Sequence, residues 1–213
     1  MMYTLQFEDE VLIPCGGKPM GGFLQIPADA RGIILFSHGS GSSRHSPRNK
    51  VVADYLFQRK FGTLLFDLLT EEEDTIYTNR FDLPLLTARL VEASKWIQST
   101  PITLDCKIGY FGASTGAATA ICAANDMTNV QAIVSRGGRP DLAGDVLKST
   151  VTPTLLIVGS LDPEVFKLNQ EAYQNIPGKK KLEIVRGATH LFEEPGTMDI
   201  VCDHACRWFD LFF

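Results

Sequence analysis

Six short apolar runs, each closed by glycine or small polar residues, constrain the fold of this chain more than any other feature of its sequence. The runs lie at residues 32–39, 61–68, 107–114, 130–138, 152–160 and 181–189. Parallel β-strands that are covered on both faces lose the alternation of polar and apolar residues, so such runs are typical of a buried parallel sheet. Longer segments separate the runs, which predicts an α/β fold.

The segments between the runs carry helical periodicity. The clearest helix is predicted at 83–98, where apolar residues recur every three or four positions, at Leu83, Leu86, Leu90, Ala93 and Ile97. The other predicted helices lie at 47–60, 115–125, 163–174 and 197–211.

Two less regular stretches, near residues 3–13 and 19–27, are predicted to form antiparallel strands joined by a glycine-containing turn. The predicted fold is a single domain of residues 1–213, with about eight strands in a mostly parallel sheet and helices on both faces. Between the fourth and fifth apolar runs there is room for one short helix only, carrying Asp141 and Asp145, so we expect no cap domain there.

The composition excludes several classes of protein. With 213 residues, 45% of them hydrophobic and 21% charged, the chain has the profile of one soluble globular domain, and its net charge of −5 argues against a nucleic-acid binder. No apolar run approaches a membrane span, and the start MMYTLQFEDE lacks the basic flank and apolar centre of a signal peptide. We therefore predict a cytoplasmic protein that binds neither nucleic acid nor a membrane.

The five cysteines are an odd number with no framework spacing, which predicts free thiols in a reducing compartment. Cys202 and Cys206, with His204 between them, could suggest a metal site. On a helix, however, His204 points away from the face that the two thiols share. We predict buried free cysteines there, and no metal.

Reactive groups follow four of the predicted strands. They lie in the segments 38–41, 112–116, 159–162 and 187–190. In open α/β sheets ligands bind beyond the carboxyl ends of the strands, so these segments are where chemistry is expected.

Ser114 lies in the pentad Gly-x-Ser-x-Gly, between a predicted strand and a predicted helix. This context is typical of a nucleophile held on a strained turn, with glycines at 112 and 116 so that strand and helix can pass closely. The alternative is a tight strand-to-helix turn in which Ser114 has no catalytic role.

A serine nucleophile needs a histidine to take its proton and an acid to orient that histidine, in the chain order Ser, acid, His. Of the four histidines, two precede Ser114 and one lies in a helical pattern, which leaves His190. Asp162, after the strand at 152–160, is the best-placed acid. Its alternative role is an N-cap before Pro163, and the two roles could not easily use the same oxygens.

The backbone N–H groups of Ser40 and Thr115 are the predicted donors of an oxyanion hole. The glycine-rich loop that holds Ser40 could also suggest a phosphate loop. The loop matches neither nucleotide-binding pattern, because Arg44 stands where one of them requires glycine.

These segments resemble the α/β-hydrolase fold, and within it the dienelactone-hydrolase-like family. The resemblance runs through GIILFSHG, GYFGASTGAA, VGSLDPEV and RGATHLFEEPG and covers nearly the whole chain. It implies a hydrolase in which Ser114, Asp162 and His190 form the triad, with Ser40 and Thr115 as oxyanion donors. Dienelactone hydrolases themselves carry a cysteine where this chain has Ser114.

Four arginines are expected in the two loops that flank Ser114, namely Arg44, Arg48, Arg136 and Arg139. Their positive charge predicts an ester substrate that bears a carboxylate or phosphate. The alternative is that Arg44 and Arg48 brace their loop and never meet substrate. The acidic run at 71–74 is interpreted as a solvated turn rather than a metal site.

The sequence thus predicts a carboxylesterase-like serine hydrolase that acts on a small molecule and requires no metal or organic cofactor. Thioesterase, lactonase (including dienelactone hydrolase) and peptidase activities on the same triad remain open. So does a non-catalytic binding protein of the same fold. The oligomeric state is not indicated.

Overall fold

The computed structural model describes residues 5–213, whose strands form one eight-stranded sheet. The strands are β1 (Leu5–Cys15), β2 (Lys18–Pro27), β3 (Ile33–Ser37), β4 (Gly62–Phe66), β5 (Ile108–Ala113), β6 (Val130–Arg136), β7 (Thr154–Gly159) and β8 (Lys180–Val185). Their order is β1-β2-β4-β3-β5-β6-β7-β8, and β2 is antiparallel to both its neighbours while all other pairs are parallel. The mostly parallel sheet is confirmed. Residues 3 and 4 of the first predicted strand lie outside the described residues.

Helices cover both faces of the sheet, as predicted. They are α1 (Pro47–Phe57), α2 (Glu71–Asp74), α3 (Leu83–Ser99), α4 (Thr115–Asp126), α5 (Pro163–Asn175) and α6 (Thr197–Phe212), with 3₁₀ segments at Tyr77–Phe81 and Pro140–Ser149. Buried side chains of α3, α4 and α5 belong to one apolar cluster, and those of α1 and α6 to a second. Within residues 5–213 no helix is long and apolar enough to cross a membrane.

The central strands are apolar without interruption because they are buried on both sides. Every residue of β3, β4, β5 and β7 is buried. By contrast, β8 at the sheet edge is half-exposed, and β2 largely alternates between buried and more accessible positions. The prediction of a sheet covered on both faces therefore holds for these four strands.

Helix α1 ends at Phe57 rather than at the predicted residue 60. Lys60 has a φ of 66°, and the Phe61 amide donates to the Leu56 carbonyl at 3.1 Å. This hydrogen bond spans six residues and encloses Lys60 in the left-handed conformation. Helices often end in this way, usually with glycine at the left-handed position. The residue that adopts it here is lysine, so the sequence carried no signal for the earlier end.

The connection between β6 and β7 is short and helical, as predicted, and its helical turns are of the 3₁₀ type. Residues Pro140–Ser149 form 3₁₀ turns interrupted at Gly144, which has a φ of 56° and a ψ of −129°. Ten residues of tight turns leave no inserted domain over this edge of the sheet.

The acidic run at 71–74 is a single helical turn without buried residues, close to the solvated turn predicted from the sequence. It forms the one-turn helix α2, closed by a capping box between Thr70 and Glu73. Glu73 also lies 3.0 Å from a nitrogen of the buried Arg89 and 3.1 Å from Lys18 Nζ. The hydrogen bond from the Thr70 amide and the two cations lower the pKa of Glu73 despite its partial burial, which alone would raise it.

The strand order places a crevice between β3 and β5. From β3 the chain proceeds to β4 on one side, whereas β5 to β8 extend on the other. The loops after β3 and β5 therefore diverge at this point, and ligands bind at such switch points in open α/β sheets.

Candidate active site

Ser114 occupies the sharp turn between β5 and α4, at the crevice. Its φ is 51° and its ψ is −122°, a strained conformation for a residue with a side chain. The Ser114 amide donates to the Arg136 carbonyl at 3.3 Å, and the Ser114 carbonyl accepts from the Arg139 amide at 2.9 Å. The loop after β6 thus holds the turn in this conformation.

The turn leaves no space for side chains at the two glycines of the pentad. A Cβ on Gly116 would lie 2.1 Å from the Ser37 carbonyl oxygen, and one on Gly112 would lie 2.6 Å from the Ala117 Cα. Both obstacles are backbone atoms, so relief would require β3 or α4 to shift.

Gly116→Ala is therefore expected to lower the free energy of unfolding by roughly 2–3 kcal/mol, because the added methyl must displace backbone. Gly17→Ala is the control: its Cβ would meet nothing within 4 Å, and only its φ of 77° penalises a side chain, by about 1 kcal/mol. Urea unfolding followed by circular dichroism measures both. Equal losses in the two variants would contradict the steric explanation.

Asp162 and His190, which follow β7 and β8, are hydrogen bonded to each other. His190 Nδ1 lies 2.7 Å from Asp162 Oδ2, while Oδ1 accepts from the Val165 amide at 3.4 Å and caps α5. The carboxylate therefore contacts the histidine with one oxygen and caps α5 with the other. A carboxylate only accepts hydrogen bonds, so His190 carries its hydrogen on Nδ1 and its Nε2 is left free to act as a base.

Ser114 and His190 line the same pocket, which has a volume of about 250 Å³. Its other polar lining residues are Ser40, Ser42, Ser46, Arg48, Asn49 and Arg136. The two catalytic candidates do not form a direct hydrogen bond with each other; such bonds are often long without substrate and tighten around it. The structure thus brings serine and histidine to one cavity, with the acid behind the histidine.

Ser40, one of the predicted oxyanion donors, lines this pocket, and Thr115, the other, contacts Ser40. The loop after β3 can approach the turn at Ser114 because residue 39 is glycine. A Cβ at this position would lie 3.0 Å from Ser114 Cβ. Thr115 is the first residue of α4, so its amide has no acceptor within the helix. The Ser40 amide donates to Thr115 Oγ1 at 2.9 Å.

The His38 side chain stabilises the loop that holds Ser40. Its Nε2 accepts from the Leu68 amide at 3.1 Å, so the hydrogen is on Nδ1, which lies 3.0 Å from the Gly39 carbonyl oxygen. Burial lowers the pKa of His38 and keeps the ring neutral. The ring therefore ties the Ser40 loop to the end of β4.

Arg136, the last residue of β6, presents a buried guanidinium to the pocket. Its exposed fraction is 4%, its Nη2 donates to Asn49 Oδ1 at 3.3 Å, and its Nε has no partner among residues 5–213. In the same range no Asp or Glu forms an ion pair with it. Burial, followed by the charge of Arg48, lowers the pKa of Arg136 to about 10, so the group remains charged at neutral pH.

Arg48, in the first turn of α1, lines the same pocket. Its Nη1 lies 3.1 Å from Glu193 Oε1, and the Glu193 side chain is 63% exposed. Its Nε is buried and lacks a partner in the described part of the chain. Glu193 therefore offsets the Arg48 charge in part, whereas Arg136 has no acidic partner in the described residues.

The other two predicted arginines are directed elsewhere. The Arg44 guanidinium pairs with Asp67, whose other oxygen accepts from the Arg44 amide at 2.8 Å. Arg139 makes a bidentate pair with Asp141, with distances of 2.9 and 2.8 Å. The structure therefore brings two of the four arginines to the Ser114 pocket.

Two asparagines at the site were not among the residues predicted from the sequence. Asn49 lines the pocket and holds Arg136. Asn169 of α5 is fully buried and donates to the Gly138 carbonyl at 2.9 Å. This hydrogen bond stabilises the loop after β6, which contacts the turn at Ser114. A single asparagine in a helical pattern has no distinguishing signal, since its burial depends on what packs against the helix.

Within residues 5–213 no group of three or more His, Cys, Asp or Glu side chains is arranged to hold a metal ion. Cys202 and Cys206 are buried on α6, and burial raises the pKa of each thiol to about 12. His204 Nδ1 lies 3.7 Å from Glu183 Oε1 on β8.

No family model matches the sequence. A dienelactone hydrolase from Anabaena variabilis of known structure is 47% identical, with a TM-score of 0.94 over 99% of this chain and 100% of its own. An esterase from Pyrococcus furiosus, 17% identical with a TM-score of 0.78 over 97% of this chain and 91% of its own, shares the fold.

Two Mycobacterium tuberculosis proteins, from two strains, are 55% identical over 203 residues and carry a provisional phosphoribosyl transferase name. The match covers 95% of this chain but 46% of theirs, so the chain spans about half the length of these curated relatives. The identity and full coverage shared with the Anabaena protein, on a common sheet, show that the chain belongs to the dienelactone-hydrolase-like family of the α/β-hydrolase superfamily.

Proposed function

We propose that the chain is a serine hydrolase that cleaves a small ester-type substrate through an acyl-enzyme. The observation that carries the proposal is the meeting of the strained Ser114 with the hydrogen-bonded pair His190 and Asp162 at one pocket. A serine hydroxyl is a poor nucleophile until a nearby base accepts its proton. The Asp162–His190 pair supplies that base in the required tautomer.

In the proposed cycle, His190 Nε2 takes the Ser114 proton as Oγ attacks the acyl carbon. The oxyanion accepts hydrogen bonds from the Ser40 and Thr115 amides, and the amino end of α4 favours its negative charge. The alcohol leaves with the proton from His190. Water, deprotonated by the same imidazole, then attacks the acyl-enzyme and releases the acid.

The names of the relatives support hydrolysis more directly than transfer of a phosphoribosyl group. The Anabaena relative is a dienelactone hydrolase and matches this chain from end to end. The mycobacterial proteins extend well beyond the region they share with this chain. Thioesters, lactones and peptides offer the same acyl carbon to the same groups, so these substrates stay as alternatives, as does a protein that binds without catalysis.

A fluorophosphonate probe tests the proposal, because it forms a covalent bond only with an activated serine. We expect a single adduct, mapped to Ser114 by mass spectrometry of the digested protein. Heat-denatured protein is the control and is expected to remain unlabelled. A folded protein that gains no adduct would favour the non-catalytic alternative.

We further propose that the substrate carries a carboxylate or phosphate near its scissile bond. A buried guanidinium without a counter-charge is costly, and Arg136 is such a group at the pocket wall. Arg48 adds a second positive charge to the same cavity. A substrate anion would compensate the charge of Arg136, which pairs with no Asp or Glu in the described residues.

Arg136→Gln is expected to lower kcat/KM for an anionic ester about 10- to 100-fold, the effect of one charge-assisted hydrogen bond, and to leave a matched neutral ester nearly unchanged. Monomethyl succinate, which carries a free carboxylate, and methyl butyrate, which is neutral, are a suitable pair of esters. Arg59→Gln, whose arginine stacks on Tyr55 away from the pocket, is the control. The same ratio of anionic to neutral activity in wild type and Arg136→Gln would contradict anion binding.

We also propose a cytoplasmic location. The support is chemical: all five cysteines are free, and Cys15, Cys202 and Cys206 are buried as reduced thiols. Free thiols in this number are usual in reducing compartments, where disulfides do not persist.

A further inference from the structure

The Thr115 side chain makes an unexpected contact at the oxyanion hole. Its Oγ1 accepts the hydrogen bond of the Ser40 amide at 2.9 Å, across 75 positions of sequence. A threonine within a helix commonly turns its hydroxyl to the carbonyl three or four positions earlier, but Thr115 is the first residue of α4 and has no such carbonyl in its own helix. Here the hydroxyl is directed instead to the loop after β3, at the place where one of the two proposed oxyanion donors lies.

The hydroxyl hydrogen of Thr115 is left available by this contact. Oγ1 acts as the acceptor toward Ser40, and within residues 5–213 no acceptor takes its own hydrogen. The residue is 8% exposed, so the hydroxyl is largely shielded from bulk water. Thr115 and Ser40 line a narrow cleft that adjoins the Ser114 pocket, with Gly39 and Ser40 common to both.

We infer that the Thr115 hydroxyl is a catalytic group that donates a third hydrogen bond to the oxyanion. The inference rests on the serine hydrolase function proposed above. In the free protein Oγ1 satisfies the Ser40 amide and holds it in the direction required for catalysis. When Ser114 attacks, the Ser40 amide shares its hydrogen between Oγ1 and the oxyanion, the Thr115 amide donates to the oxyanion, and the Thr115 hydroxyl donates its own hydrogen to the same atom.

The physical advantage of this arrangement is preorganisation. Donors that already point at the developing charge need no reorientation during the reaction, which is why oxyanion-hole groups have large effects on rate. An amide left without an acceptor would recruit water, and that water would have to be expelled for each turnover. The threonine oxygen fills that position and remains in place as the charge forms.

The test compares Thr115→Val with Thr115→Ser. Valine keeps the shape of threonine but neither donates nor accepts, so kcat is expected to fall about 10- to 100-fold, somewhat less than for a backbone donor, while KM changes little. Serine retains the hydroxyl and is expected to restore kcat to within about threefold of wild type. Thermal unfolding of both variants shows whether the fold is intact, and Thr115→Ala serves if the valine variant does not fold.

A second measurement separates a direct contact from a merely structural role. A trifluoromethyl ketone adds to the serine and presents an oxyanion, so its Ki is expected to rise in Thr115→Val by the same factor by which kcat/KM falls. Inhibition by the alcohol product, which has no acyl oxygen to place in the oxyanion hole, is expected to remain as in wild type.

Two results would overturn the inference. If Thr115→Val is as active as wild type, the hydroxyl does not act in the reaction. If it is more active, the hydroxyl merely blocks the hole in the free protein. Both are distinct from failure of the proposed function, in which wild type itself would neither hydrolyse esters nor react with the fluorophosphonate.

Discussion

Ser114→Ala is expected to lower kcat for a short-chain ester by a factor of order 10⁴–10⁶, the range found when a triad nucleophile is removed. The loss is this large because no other group can form the acyl-enzyme. The free energy of unfolding is expected to stay the same or rise slightly. Alanine removes one partly exposed hydroxyl and keeps the backbone at the strained φ of 51°.

Ser99→Ala, at the exposed end of α3, is the matched control for this variant and is expected to retain full activity. Initial rates with p-nitrophenyl acetate, corrected for the rate with heat-denatured protein, provide the measurement. A Ser114→Ala protein with more than a few per cent of wild-type kcat would refute the acyl-enzyme mechanism.

Asp162→Asn is expected to lower kcat by about 10⁴. The carboxylate serves His190 with one oxygen and the Val165 amide with the other, whereas an asparagine side chain has a single acceptor oxygen. If that oxygen caps α5, the amide group faces His190 and selects the wrong tautomer. If it faces His190, α5 loses its cap.

The two orientations of the asparagine side chain in Asp162→Asn predict different outcomes. Asparagine is about as good an N-cap as aspartate, so the first leaves the melting temperature unchanged while activity is lost. The second retains part of the activity but costs about 1 kcal/mol of stability. Asp126→Asn, at the exposed end of α4, is the control for both measurements. A variant with wild-type activity and wild-type stability would show that Asp162 does not orient the histidine.

Most of the fold could be predicted because its signals are local. The helix predicted at 83–98 is observed at Leu83–Ser99, and the one at 163–174 at Pro163–Asn175. In both, an aspartate N-cap and an early proline mark the start, and apolar periodicity defines the rest. The connection at 140–149 was predicted only as one short helix; that it forms 3₁₀ turns depends on Gly144, whose φ is 56°, and on packing.

The positions of Ser114, Asp162 and His190 could be predicted for a similar reason. Each follows a strand, and parallel strands deliver their carboxyl ends to one edge of the sheet. The directions of the arginines could not be predicted. An arginine side chain is long and takes its direction from whichever partner the fold brings near: Asp67, 23 positions away, for Arg44, and Asn49, 87 positions away, for Arg136.

The sequence by itself therefore determined the doubly covered sheet, the strained turn at Ser114 and the order of the reactive groups along the chain. These follow from residue periodicity and from the backbone freedom of glycine, which act over a few residues. Only the tertiary structure decided that the two oxygens of Asp162 contact different partners, His190 and the Val165 amide. The tertiary structure also decided that two of the four arginines reach the pocket, and that the Ser40 amide donates to the Thr115 hydroxyl. Each of these depends on distances between segments far apart in the chain, which are set by how helices and loops pack on the sheet.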